Sequence, residues 1–372
     1  MMLSIEKILK EILIVSSLIS FYCFGFAALF EMQLLIYPGI FFSAPYFLAR
    51  KKKIPFIFDR YYSILSISLV IGSILNLLVT SNSLGGSLLL IANLFLTFFI
   101  IDNIERIYFH SKLFVLITLS YISYKIFYLD IPPHEFYENF SRNIPGYYLV
   151  VWTIFYLYIA HINHKKLFIL IPLIAFLISI FLIGRSSLGV LLILLLITII
   201  FYLKRLPKFI SVLFFILLIY FIIYLSNNIQ IIELYLQTGF SKKGIDTQRY
   251  DIWESYFHNI SIVEIFFGRD PFSVNLINMY DGVLHNSFLK FHSRMGISVL
   301  IFLGIFIRSI IKYINRNQYY LLFLILLLSS RLFFDSMNFI SPLDFIFFTL
   351  MLYPLRNKNS ITKNRGISHL KD

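Results

Sequence analysis

Blocks of about 20 apolar residues recur from one end of this chain to the other, and that repetition limits the fold more than any other feature. A helix needs about 20 consecutive apolar residues to cross the hydrocarbon core of a bilayer. Backbone groups in lipid must also be satisfied within the spanning segment, so such a block forms a helix. Twelve blocks fall at roughly 11–30, 33–49, 62–80, 86–103, 112–129, 147–161, 167–183, 187–203, 209–226, 288–307, 319–330 and 337–354. Residues 1–372 are therefore expected to form one all-α, polytopic membrane domain of about 12 transmembrane helices, with one long extramembrane loop at 227–285. Only 14% of the residues are charged, too few to cover the surface of a soluble fold of this size.

The net charge of +13 has its explanation in the membrane rather than in nucleic acid, because Lys and Arg cluster in short segments between apolar blocks. With the N-terminus placed inside and the blocks alternating, the inside segments hold 22 of the 32 basic residues. They include Lys7 and Lys10, the run from Arg50 to Lys53, Lys165 and Lys166, Lys204 to Lys208, Arg308 to Arg316, and the tail from Arg356. The 81–85 loop has none and falls outside. This asymmetry predicts an even number of spans with both termini cytoplasmic. Lys7 and Lys10 precede the first block without a small-residue cleavage site after it, the pattern of an uncleaved signal anchor. The single cysteine, Cys23, excludes an internal disulfide.

Several chemistries have no motif here. A Walker-type phosphate loop is absent, as are CxxC and HExxH metal patterns, an Asp-x-Asp pair and a Ser-centred nucleophile elbow. Internal repeats of the kind that build inverted-repeat transporters are not evident, and charged residues inside the spans are few. Lys125 is the main exception, placed within snorkelling reach of an interface.

The polar features that remain fall on the outer side of this topology. Gly184-Arg185-Ser186-Ser187-Leu188-Gly189 makes a tight turn between two spans. Arg185 there is either a snorkelling interfacial cation or an anion clamp, helped by Ser186, Ser187 and the next helix's free amides. In the long loop, helices are expected near 229–238 and 247–261. The second has Tyr250, Trp253 and Phe257 on one face and Arg249 in its first turn, where a cation opposes the helix dipole. Arg249 either pairs with Asp246 or Asp251 or serves as a second anion ligand.

His285-Asn286-Ser287-Phe288-Leu289 closes the loop, and His285, Leu289, His292 and Gly296 have the spacing of one helical face. A neutral histidine there can take a proton from a hydroxyl. Asn286 either orients it, holds a sugar or caps the helix. Arg269-Asp270, Arg294 and the Arg331/Asp335 pair are less specific, the last reading as a plain i, i+4 ion pair.

Taken in order, Gly184-Arg185-Ser186, the Arg249 and Trp253 loop reaching Phe266-Phe267-Gly268, and His285-Asn286-Ser287-x-Leu289 resemble the O-antigen polymerase and O-antigen ligase superfamily of bacterial inner-membrane proteins. The likeness covers about 184–300. The ligase pattern has His, then Asn, Ser or Gln, nine residues, Gly, two residues, and Gly, Thr or Tyr. His285, Asn286 and Gly296 fit it, but Val299 stands in the last position, which tilts the resemblance toward the polymerases.

The resemblance implies a GT-C-like architecture and a metal-independent glycosyl transfer without cofactor. The donor would be an undecaprenyl-diphosphate-linked glycan, and the acceptor a second lipid-linked unit. It implies His285 as the catalytic base, with Arg185, Arg249, Arg269 and Asn286 binding diphosphate or glycan. A flippase and a chain-length regulator of the same pathway are implied as partners. Two other readings stay open: a ligase moving finished glycan to lipid A core, and a flippase of the lipid-linked unit.

Overall fold

The computed structural model describes residues 2–50, 56–79, 84–133, 135–136, 143–166, 168–182, 185–203, 249–335 and 339–356. Every regular element among them is helical. The helices are α1 (Met2–Leu29), α2 (Ile36–Arg50), α3 (Phe56–Val79), α4 (Leu84–Asp102), α5 (Ile104–Phe127), α6 (Ile144–Ile162), α7 (Leu170–Phe181) and α8 (Arg185–Leu203). After them come α9 (Arg249–Phe257), α10 (Ile262–Phe267), α11 (Asn275–Asn278), α12 (Ser287–Met295), α13 (Ser298–Asn315), α14 (Tyr319–Phe333) and α15 (Asp344–Leu352).

Among the described residues, five stretches are long and apolar enough to cross a membrane: Ile5–Leu29, Arg60–Leu78, Gly85–Asp102, Ile144–Ile162 and Ser298–Asn315. Five more apolar helices are shorter. The protein is a membrane-embedded, multi-pass helical protein. The expected span at 209–226 and the expected helix at 229–238 lie outside the described residues.

Three expected boundaries are corrected by tertiary contacts. The span expected at 288–307 is two helices, α12 and α13, parted at Gly296 with φ +52. A Cβ on Gly296 would sit 2.1 Å from the carbonyl oxygen of Phe266, so the close approach of that backbone requires glycine and forces the turn. In the span expected at 337–354 the described residues from Phe339 on become helical only at Asp344, because the Asp344 carboxylate captures the amides of Phe339, Ile340 and Ser341 at 2.8, 2.7 and 2.9 Å. Of the helix expected at 247–261, the described residues are helical from Arg249 and end at Phe257, and Ser261 starts a new helix by capping α10.

The chain divides into two compact units, Met1–Phe114 with Trp253–Asp372, and Val115–Ile252. In the first, α1 lies against α2 through small residues and hydroxyls, which lets the backbones approach. Ser20 Oγ donates to Gly39 O at 2.7 Å and Ser16 Oγ to Phe42 O at 3.0 Å. Against α4 packs α15, whose nine residues rise about 14 Å, half of a bilayer core. Its start meets Asn93, nine residues and therefore about 14 Å along α4. Asn93 accepts from Phe345 N at 2.9 Å and donates to Ser341 O at 3.1 Å, and Thr97 Oγ1 donates to Phe345 O at 3.2 Å. These bonds satisfy irregular backbone at a depth where water is scarce.

A second polar network gathers at the far end of α4. Tyr46 Oη donates to Asp102 at 2.5 Å, Asn103 Nδ2 to Tyr46 Oη at 2.8 Å, and Arg356 lies 3.5 Å from Asp102. Arg106 is forked onto Glu11 at 3.0 and 3.2 Å, and Arg316 donates to Arg356 O at 3.1 Å. In the other unit α7 and α8 pack against α6, which is buried along nearly its whole length. Lys125, near the end of α5, donates to Phe136 O at 2.5 Å and sits about 5 Å from the Tyr121 and Phe136 rings.

Candidate functional site

His285 and Asn286 stand immediately before the start of α12. Asn286 is the N-cap: its Oδ1 accepts from the amides of Phe288 at 2.9 Å and Leu289 at 3.1 Å, satisfying two of the helix's free donors. His285 therefore precedes the helix instead of lying on it, and Gly296 ends it. The reading of His285, Leu289, His292 and Gly296 as one helical face is corrected accordingly. His285 holds φ at +50, a conformation that costs a residue with a Cβ about 1–2 kcal/mol and persists only where the surroundings fix it.

Those surroundings clamp both sides of His285. On the upstream side, Trp253 Nε1 in α9 donates to Leu284 O at 3.0 Å, and the indole packs edge-on to Phe333 at 5.1 Å. Downstream, beyond the Asn286 cap, Ser287 Oγ donates to Asp335 O at 2.6 Å. Asp335 is itself tied to Arg331 of α14, Nη1 to Oδ2 at 2.9 Å, with the two side chains 0% and 6% exposed. The i, i+4 pair read from the sequence is present, but it is buried.

Lys290 follows one turn into α12. Burial pulls its amine below the usual lysine range. Asp344 and Asp335 attract its charge, and Arg294 repels it. Lys290, Arg331, Asp335 and Asp344 thus form a charged group beneath the turn that carries His285. Phe339 and Ile340, whose amides bind Asp344, hold φ at +54 and +77. Two successive strained residues are a cost that the Asp344 hydrogen bonds offset.

Arg269 fastens the loop. Its Nη1 donates to the carbonyls of Tyr256 at 2.6 Å and His258 at 2.9 Å, and its Nε lies 3.2 Å from Glu264 Oε1. Much of its hydrogen-bonding capacity is therefore spent within the protein. Tyr256 also meets His292 Nδ1 at 2.8 Å, and His292 Nε2 faces Ile265 O at 3.0 Å. A carbonyl can only accept, so Nε2 carries the proton and Nδ1 accepts from the tyrosine. Burial lowers the affinity of His292 for a second proton, in keeping with that neutral form. Arg294 is also drawn down by burial, with Asp270 opposing the shift.

Asn76, near the end of α3, donates to Phe267 O at 2.7 Å and Ser293 O at 3.0 Å, joining α10 and α12 to that helix. His285, Asn286 and Arg269 therefore share one connected set of short helices. Arg185 and Arg249 belong to the unit 115–252, at the first positions of α8 and α9. One turn of α6 and the start of α8 supply two buried hydroxyls, Thr153 Oγ1 and Ser187 Oγ, with no hydrogen-bond partner among the described residues. Ser187 Oγ would be 2.6 Å from a Cβ on Gly146, so α6 and α8 approach closely there.

Sequence reasoning did not single out Asn76, Asn93, Lys290 or Asp344. The signal available was a lone amide or charge inside an apolar run, which in a membrane segment requires a partner. Among the described residues no three His, Cys, Asp or Glu side chains are grouped to hold a metal ion. Compared with protein-family models, curated proteins and solved structures, the chain matches none.

Proposed function

We propose that this protein is a polysaccharide polymerase, a glycosyltransferase that joins undecaprenyl-diphosphate-linked oligosaccharide units at the periplasmic face of a bacterial inner membrane. The observation that supports it most is the clamped, strained His285 at the head of α12, backed by the buried charges of Arg331, Asp335 and Asp344. A general base must be held in place to abstract a proton efficiently, and strain of this kind is found where position matters.

In this reading an acceptor sugar hydroxyl attacks the anomeric carbon of the donor. The new C–O bond forms as the bond to the lipid diphosphate breaks, the diphosphate leaves with the electron pair, and His285 takes the hydroxyl proton. A single displacement inverts the anomeric centre. Cations must meet the charge that develops on the leaving diphosphate. Arg185 and Arg249 are assigned that role. Arg269 is the weaker ligand of the three, since Tyr256, His258 and Glu264 already engage it. Asn286 contributes through the cap that sets the turn. Cleavage of the glycosyl–diphosphate bond, with the diphosphate as a stabilised leaving group, supplies the driving force, so the reading needs no nucleotide.

The positive-inside distribution supports cytoplasmic termini. The residues that gather at the far end of α4, including Arg106, Arg316 and Arg356, are those the charge pattern puts inside. The ligase reading draws on the His285, Asn286 and Gly296 spacing, to which the helix end at Gly296 gives a structural sense. Deleting the gene and separating surface polysaccharide on a gel distinguishes the readings. Polymerase loss leaves lipid A core bearing a single unit. Ligase loss leaves bare core with lipid-linked polymer. Flippase loss leaves bare core with single units trapped inside. An unchanged ladder contradicts all three.

A further inference from the structure

Helix α10 exposes its apolar residues in a way that water does not favour. Ile262, Val263, Ile265 and Phe266 are 75, 51, 43 and 46% exposed, four large apolar side chains in a six-residue helix. Its one charged residue is turned the other way. Glu264 Oε2 accepts from Ser261 N at 2.7 Å in the capping box, and Oε1 lies 3.2 Å from Arg269. Burial would raise the Glu264 carboxyl, but Ser261 and Arg269 prevail and hold it below its usual range. A helix on a water-facing loop shows the reverse pattern, with charge outward and apolar residues packed.

The level of α10 is fixed by two bonds to membrane helices. Asn76, inside the crossing stretch Arg60–Leu78, donates to Phe267 O at 2.7 Å. Ile297, immediately before the crossing stretch Ser298–Asn315, donates its amide to Phe266 O at 2.9 Å. The C-terminal end of α10 is thereby held where two spans leave the hydrocarbon core. Near those points of attachment the spans themselves expose large apolar side chains, Leu78 at 77% and Leu300 at 61%.

We propose that α10 is an interfacial helix that lays Ile262, Val263 and Phe266 into the lipid leaflet of the membrane the protein spans. Its partner is the headgroup–acyl boundary of the bilayer, where a short apolar face with its charge neutralised is stable. Because His292 Nε2 donates to Ile265 O, the lipid contact also sets the level of α12, and with it the turn at His285. The lipid contact itself does not depend on the proposed reaction.

The test is depth measurement by spin labelling in the full chain, in a Cys23→Ser background, reconstituted in phospholipid nanodiscs. Ile262→Cys and Val263→Cys are labelled separately, so a variant that fails to give monodisperse protein leaves the other to report. Relaxation is read with two probes, molecular oxygen, which partitions into lipid, and a water-soluble nickel chelate. Greater accessibility to oxygen than to nickel at these positions is the expected result. Greater accessibility to nickel places α10 in water and overturns the proposal. Exclusion of both probes places it under protein, whether a second copy or another chain, and overturns it equally.

Discussion

Ser287 Oγ donates to the backbone carbonyl of Asp335 across 2.6 Å, and both groups are buried. This bond joins the first residue of α12 to the chain just beyond α14. It closes the turn at His285 from below, as Trp253 closes it from above. Ser287→Ala removes the donor and leaves a buried carbonyl without it, at a cost of about 1 kcal/mol. Thermal unfolding in detergent is expected to show a small fall in Tm. Chain extension is expected to fall by more than that loss of stability explains, and Ser287→Thr to restore both.

Arg331 and Asp335 form an ion pair shielded from solvent. Asp335→Ala leaves a buried guanidinium without its carboxylate, and destabilisation of about 3–5 kcal/mol follows. Replacing both partners, Arg331→Met with Asp335→Leu, removes the charge as well and should recover most of the loss. The difference between single and double variants is read from their unfolding midpoints. Equal destabilisation by the two would show that the pair contributes through packing alone.

Gly296 and Gly304 are predicted to respond oppositely to alanine. At Gly296 the added Cβ would lie 2.1 Å from Phe266 O and the residue would keep φ at +52. Both effects disfavour the folded state, and α10 and α12 cannot separate without losing the Asn76 bonds. Gly296→Ala is expected to yield little monodisperse protein. Gly304 lies inside α13 with open space around it. There alanine adds helix propensity, up to about 1 kcal/mol, and Tm should hold or rise.

His292 gives a pH signature. Burial lowers its folded pKa below the unfolded value near 6.5. Between those two values the unfolded chain binds more protons, so stability rises with pH. The contribution of neutral His292 is present above about pH 6.5 and is lost as pH falls toward the folded pKa. Tm measured from pH 7.5 to 5 should drop for the natural protein, with a smaller drop for His292→Gln.

Much of the helical architecture was legible in the apolar blocks. The span expected at 86–103 is α4 at 84–102 and that at 147–161 is α6 at 144–162, while the block at 187–203 is helical as α8 at 185–203, one of the shorter apolar helices. What hydropathy could not show were breaks made by tertiary contact. The run through 288–307 reads as continuous, and only the Phe266 backbone pressed on Gly296 divides it. The late start of α15 depends on Asp344 folding back on the three amides before it, and on Asn93 reaching across from α4. At the candidate site the Asn286 cap was among the sequence readings. The depth of the Arg331–Asp335 pair was not, because i, i+4 spacing carries no information on burial. Polar chemistry was expected on one side, yet Tyr46, Asp102, Asn103 and Arg356 form a network at the other end of α4.

Purified protein in nanodiscs, given undecaprenyl-diphosphate-linked oligosaccharide units in the presence of a metal chelator, is expected to form products of two or more joined units, with free undecaprenyl diphosphate released for each bond formed. His285→Ala, though folded, is expected to form them at a rate lower by about 10²–10⁴-fold, the usual contribution of a general base. Unjoined units from the natural protein, or an undiminished rate in His285→Ala, would overturn the proposed reaction.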